Sequence, residues 1–142
     1  MDEFCPLVFA VDSLDENGYS NPIWWKYSED ALIWRNQNPT PISSTYSEKN
    51  CPRTDVSWYD AVAFCNWLSE IIHSKVRLPF VNEWEYCAVG EKKTNYPWGD
   101  QFHGEFANIY FYGSNSLGRT STVGIFQQSI SFCGAEDMIG NV

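Results

Sequence analysis

The stretch DVSWYDAVAFCNWLSE at Asp55 to Glu70 constrains the fold more than any other part of the sequence. Ser57, followed three residues later by Asp60, forms an acidic variant of the capping box that opens a helix. Behind it Trp58, Ala61, Val62, Cys65, Leu68 and Ile72 fall on one stripe, widened by Phe64, Trp67 and Ile71. A helix with so wide an apolar face needs other elements to cover it. It should end near His73 or Ser74, where a histidine cation suits the helix dipole.

Few other elements are periodic. Phe4, Leu7, Val8 and Val11 lie at helical spacing, which predicts a helix over 2–14. Asp15 to Asn21 reads as turn, broken at Asn17-Gly18. From Pro22 to Arg53 no period holds, and the segment reads as a long irregular loop pinned by Trp24, Trp25, Tyr27, Trp34 and Tyr46. A short strand is expected around Val76 to Leu78, stopped by Pro79. A second helix is expected over Asn82 to Val89, with Gly90 as its stop. Ala107 to Tyr112, Thr122 to Phe126 and part of Ser131 to Val142 are candidates for short strands. Two separate helices, few short strands and much aromatic-rich loop predict an α+β domain.

Aromatic residues make up 17% of the 142 residues, enough to fill a core that has little regular structure. The helical Trp58, Trp67 and Trp84 read as core, whereas the role of Trp24, Trp25 and Trp34 stays open. Arg77, Glu83 and Glu85 read as a buried polar network that fixes the second helix to a sheet. The net charge of −9 and the scattered lysines and arginines argue against a nucleic-acid or anionic-membrane surface. The apolar run Cys5 to Val11 is far too short to span a bilayer.

Most catalytic signatures are missing. His73 and His103 lie 30 residues apart without a zinc-binding pattern, and no phosphate loop, dinucleotide fingerprint or nucleophile elbow occurs. Glu83 and Glu85 face different sides of a helix and make no hydrolytic pair. Five cysteines, an odd number, show no Cys-x-x-Cys spacing. Cys65 and Cys87 sit in apolar helical patterns and read as core filler. A disulfide is possible, and its partners stay open.

Six short motifs follow one another in fixed order. They are DVSWYDAVAFCNWLSE, RLPFVNEWEY at Arg77 to Tyr86, YPWGD at Tyr96 to Asp100, AN at Ala107-Asn108, TVGIF at Thr122 to Phe126 and DMIGNV at Asp137 to Val142. Together they resemble the formylglycine-generating enzyme, or sulfatase-modifying factor, family. The resemblance implies a C-type-lectin-like α+β fold, with residues 1–142 as part of a single domain. It also implies a preceding β-rich stretch and a C-terminal segment that these residues do not include. Phe80 stands where the family usually places a capping threonine, and Cys87 where a small residue is common.

The chemistry implied by the resemblance is oxidation of a cysteine in a sulfatase-like protein or peptide to formylglycine, with Cu(I) and O₂. Two cysteine ligands of that copper would lie beyond position 142, so no cysteine here aligns with them and the chain alone is expected to be inactive. The resemblance also implies structural calcium. One site would use the Asn108 side chain, the Ile109 carbonyl, the Asn115 side chain and the Leu117 carbonyl. A second would use Asp137 and the carbonyls of Gly140 and Val142, together with a glutamate past position 142. Oxygen ligands from loops suit a hard cation. Two other functions fit the same motifs. One is a non-catalytic lectin-like binding module, and the other is the C-terminal domain of an ergothioneine-type sulfoxide synthase.

Overall fold

The computed structural model describes Tyr19 and residues 21–46, 48–110 and 117–141. The expected helix over 2–14 therefore lies outside the described residues. Three α-helices form: α1 (Glu29–Gln37), α2 (Trp58–Ile71) and α3 (Val81–Val89). Short 3-10 turns occur at Pro22–Trp25, Gly90–Lys92, Gly104–Phe106 and Gln127–Ser129. The chain divides into two compact units, one over 19–45 and 53–78 and the other over 46–52 and 79–141.

In the first unit α2 opens as the sequence predicts. The Ser57 hydroxyl accepts the Asp60 N–H at 3.1 Å, and Asp60 accepts the Ser57 N–H at 2.9 Å. Two donors that a helix start leaves unsatisfied are thus paired reciprocally. The helix ends at Ile71, slightly earlier than expected, and His73 follows in the left-handed region (φ 51°). Its buried stripe is narrower than its sequence suggests. Ala63, Phe64, Cys65 and Leu68 are buried, but Trp58 is 61% exposed.

The reading of 22–53 as loop throughout is corrected here. Asn21 accepts the Ile23 N–H and starts the turn at Pro22. Ser28 accepts the Ala31 N–H at 3.1 Å and starts α1, with Glu29 and Asp30 in its positive first turn. Only Ala31 of α1 is fully buried, so no apolar stripe announces the helix. Trp25, fully buried, answers the question left open about the loop tryptophans. Its Nε1–H donates to the Tyr19 carbonyl at 3.0 Å, and its ring meets Tyr19 edge-on at 5.0 Å. Tyr19, Trp25, Ala31 and Ala63 form the core of this unit, with Trp24, Tyr27, Leu32, Trp34 and Tyr59 packed against them.

In the second unit α3 begins at Phe80, which has no side chain able to cap. Glu83 reaches back instead and accepts the Phe80 N–H at 2.8 Å. Gly90 closes the helix at φ 64°. Two expectations fail on α3. Arg77, Glu83 and Glu85 are exposed and form no buried network, and Trp84 is 41% exposed rather than core. Cys87 is not core filler either: it is bonded to Cys133. The bridge spans a separation of 46 residues. By loop-closure entropy such a bond stabilises the fold by roughly 4 kcal/mol.

Among the described residues no strand forms; the nearest feature is an isolated bridge between Tyr96 and Gly99. Val76–Leu78, Thr122–Phe126 and 131–141 run as irregular chain, as do the described residues of 107–112. Side chains replace ladder bonds along these segments. The Val76 N–H donates to the Ser69 hydroxyl at 2.8 Å, and the Ser121 N–H donates to Asn141. An apolar run predicts burial, but a strand also needs a partner chain at hydrogen-bonding distance.

Candidate functional site

The DMIGNV motif contains three residues with unusual backbones. Asp137 (φ 54°), Gly140 (φ 79°) and Asn141 (φ 75°) are all left-handed, a region that Asn, Asp and Gly tolerate best. A Cβ on Gly140 would stand 2.3 Å from the Asn108 carbonyl oxygen, so only glycine allows that approach. The tight turn places Asn141, 3% exposed, against Ala107-Asn108. The Asn141 N–H donates to the Asn108 carbonyl at 2.8 Å.

The Asn141 side chain is the node of the region. Its Oδ1 accepts the Ser121 N–H at 2.7 Å, the Ser121 hydroxyl at 2.9 Å and Asn108 Nδ2 at 3.1 Å. Its Nδ2 donates to the Ser121 carbonyl at 3.2 Å and to Asp137 Oδ2 at 3.0 Å. Asn108 Nδ2 also donates to the Arg119 carbonyl at 2.8 Å, and Asp137 Oδ2 accepts the Gly124 N–H at 3.2 Å. The Asn141 amide thus joins the AN and DMIGNV segments to Ser121, and Asp137 extends the network to Gly124 of TVGIF. The 118–123 stretch is held from its other side by three contacts. Tyr46 donates to the Gly118 carbonyl at 3.0 Å, Arg119 pairs with Glu48 at 2.6 Å, and Val123 N–H donates to the Asn50 carbonyl at 2.8 Å.

Of the expected calcium ligands, the structure brings Asn108, Asp137 and Gly140 together around Asn141. Ile109 is half-buried beside Gly140, and Leu117 is 55% exposed. Asn115 and Val142 lie outside the described residues. The donor set is compatible with a hard cation. Asn108 turns its Nδ2 towards Arg119 and Asn141, and Asp137 commits Oδ2 to Gly124 and Asn141. The Asn108 Oδ1 and the Asp137 Oδ1 accept no hydrogen bond from a described residue. Sequence reasoning missed Asn141 and Ser121. Their signal is weak: an asparagine after glycine suggests a left-handed backbone, but its buried side chain becomes a node only through distant contacts.

The described cysteines do not fit a copper site. Cys87 and Cys133 are joined to each other, and a soft metal needs thiolates. Cys65 is buried, and burial pushes its thiol up, away from the reactive thiolate form. Cys51 is free and half-buried. His103 stacks on Phe106 at 4.7 Å and meets Glu105 at 3.2 Å on the surface. Among the described residues no three His, Cys, Asp or Glu side chains gather as a metal cluster. No described helix is long and apolar enough to cross a membrane.

The sequence profile of the sulfatase-modifying factor enzyme 1-like domain matches residues 11–142. The chain belongs to this family. Its relatives divide by name. It is 37% identical over 89 residues to the inactive C-alpha-formylglycine-generating enzyme 2 of Bos taurus, covering 62% of this chain and 27% of that one. It is 30% identical over 151 residues to the formylglycine-generating enzyme of Mycobacterium tuberculosis, covering 98% and 45%. It is 29% identical over 149 residues to the hercynine oxygenase of the same organism, covering 92% and 33%. The chain thus spans less than half the length of each of these relatives.

Proposed function

We propose that this chain forms the scaffold part of a formylglycine-generating-type domain with a C-type-lectin-like α+β fold. Residues 1–142 would belong to one such domain. The observation that carries the reading is the Asn141 node, which bonds Asn108 of the AN motif and Ser121 directly and reaches Gly124 of TVGIF through Asp137. Calcium would be the structural ion here. Asn108 with the Ile109 and Leu117 carbonyls, and Asn115, would hold one ion; Asp137 with the Gly140 and Val142 carbonyls would hold the other. The ion supplies positive charge that gathers loop oxygens.

The substrate class would be a cysteine-bearing protein or peptide of sulfatase type, a reading supported by the sulfatase-modifying family and its formylglycine-generating relatives. The chain alone would leave such a peptide unchanged, because Cys87 and Cys133 are bonded to each other and the Cys65 thiol is buried and held away from the thiolate form. Incubation with a cysteine-containing sulfatase-type peptide, copper and O₂ tests this. The expected mass spectrum is that of the starting peptide, and an aldehyde product would overturn the reading.

A second reading is a sulfoxide synthase domain of the ergothioneine type. The hercynine oxygenase relative supports it, because the match extends over 92% of the chain. Conversion of a betaine-type histidine derivative and a thiol to a sulfoxide by the intact parent would favour this reading. A non-catalytic binding module is the third reading, supported by the relative named as inactive.

A further inference from the structure

The Cys87–Cys133 disulfide ties the last part of α3 to a turn at 131–134. Two backbone bonds run beside it: Phe132 N–H to the Ala88 carbonyl and Cys133 N–H to the Cys87 carbonyl, each 3.2 Å. Phe132 meets Tyr86 edge-on at 5.4 Å and lies across Gly90, where a Cβ would stand 2.6 Å from the ring. The turn is compact. Ser131 exchanges backbone bonds with Gly134 and Ala135 at 2.9 Å, and its hydroxyl accepts the Ala135 N–H at 2.9 Å. From there the chain passes through Glu136 into Asp137 and on to Asn141. The strap 131–141 is therefore anchored twice, by the disulfide at its front and by the Asn141 node at its rear.

Cys133 is exposed and Cys87 half-buried, so the bond is open to a reductant. Phe132 is itself 61% exposed. Without the disulfide, the front of the strap would be docked by two backbone bonds and by the exposed Phe132 ring against Tyr86 and Gly90. The rear would keep its buried bonds to Ser121 and Asn108. The two anchors thus differ in exposure and in chemistry.

We propose that Cys87–Cys133 is a redox-operated clasp. Oxidised, it docks the strap on α3 and keeps Asp137 in register with Gly124 and Asn141. Reduced, it frees the front of the strap and loosens the Asp137 end of the node, while the helices keep their structure. The reductant is a dithiol. One of its thiolates attacks the exposed Cys133 Sγ, and the Sγ–Sγ bond breaks. Cys87 leaves as thiolate and takes up a proton. The second thiolate of the dithiol then attacks the mixed disulfide, releasing Cys133, which is protonated in turn. Two electrons pass from the dithiol to the protein, and the dithiol leaves as its own disulfide.

Hydrogen exchange read by mass spectrometry on the full chain, with and without dithiothreitol, tests the clasp. Reduction should speed exchange about tenfold at the amides of 132–135 and less at Asn141, leave α2 unchanged, and reverse on reoxidation. The Cys87→Ser/Cys133→Ser variant should exchange like the reduced protein, whereas Cys51→Ser should exchange like the oxidised one. No change at 131–141 on reduction would overturn the proposal. So would a uniform rise along the chain, or failure of the double variant to fold, since each would make the bond a general staple.

Discussion

Asn141 accepts both the N–H and the hydroxyl of Ser121 on a single oxygen, at 2.7 and 2.9 Å, and returns a bond from its Nδ2 to the Ser121 carbonyl. Both residues are buried. An amide so placed replaces the ladder bonds that a strand pair would otherwise supply. It explains how the DMIGNV segment associates with Ser121, next to TVGIF, without a described sheet.

The turn before Asn141 should tolerate only glycine. Gly140→Ala would place a Cβ 2.3 Å from the Asn108 carbonyl oxygen at φ 79°. Neither the backbone contact nor the left-handed angle can relax cheaply. The expected loss is about 2 kcal/mol or more in denaturant unfolding. By contrast, Gly118→Ala meets no atom within 4 Å, and its smaller cost should reflect only its positive φ.

Alkaline pH should weaken the unit built around Trp25. Burial, and then the Asp60 carboxylate, push both Tyr19 and Tyr27 up to about 12. Each stays protonated in the folded chain above pH ~10, where it would ionise if unfolded. Their contribution is complete below about pH 10 and is lost as the pH rises through about 12. Tyrosinate absorbance should show a late component near pH 12, and Tyr27→Phe should remove part of it.

Acid should loosen a different contact. Asp55 is held below the usual carboxylate range by the Thr45 hydroxyl, the Thr45 N–H and the Thr54 hydroxyl. A lowered value means that the contribution is present above about pH 4 and fades as the pH falls through the folded value. The protection of the Thr45 amide relative to its intrinsic exchange rate should therefore fall below about pH 4, and Asp55→Asn should abolish that dependence.

Calcium should raise the melting temperature if the Asn108 and Asp137 loops take the ion. Saturation at about a hundred times Kd would add roughly 2.7 kcal/mol, which reads as several degrees. Asp137→Ala should remove the larger part of the shift, because it deletes the carboxylate. Magnesium, which demands stricter geometry, should give a smaller shift. No heat of binding and no shift would retire both sites.

How much of this the sequence reveals depends on the residue. α2 and α3 are legible because a stripe of apolar residues and a stop signal stand in the chain itself. α1 is not, since its start rests on the Ser28 cap and only Ala31 is fully buried. Trp58 and Trp84 mislead for the opposite reason: an apolar residue at helical spacing predicts a buried face, yet each stands largely or partly exposed. The Cys87–Cys133 pairing is invisible to spacing, because five cysteines leave many pairings open. In the site, Asn108, Asp137 and Gly140 could be named from motifs. The residue that joins them could not, since its contacts span up to 33 residues of sequence.

The central claim is that the AN and DMIGNV motifs are scaffold held together at Asn141, with Ser121 beside them. Equilibrium unfolding of Asn141→Ala tests it most directly. The substitution strips five side-chain hydrogen bonds from a buried site and leaves the Ser121 N–H without its acceptor. The predicted loss is about 2–3 kcal/mol with an unchanged denaturant slope. A loss below about 0.5 kcal/mol, the range of an ordinary surface substitution, would contradict it.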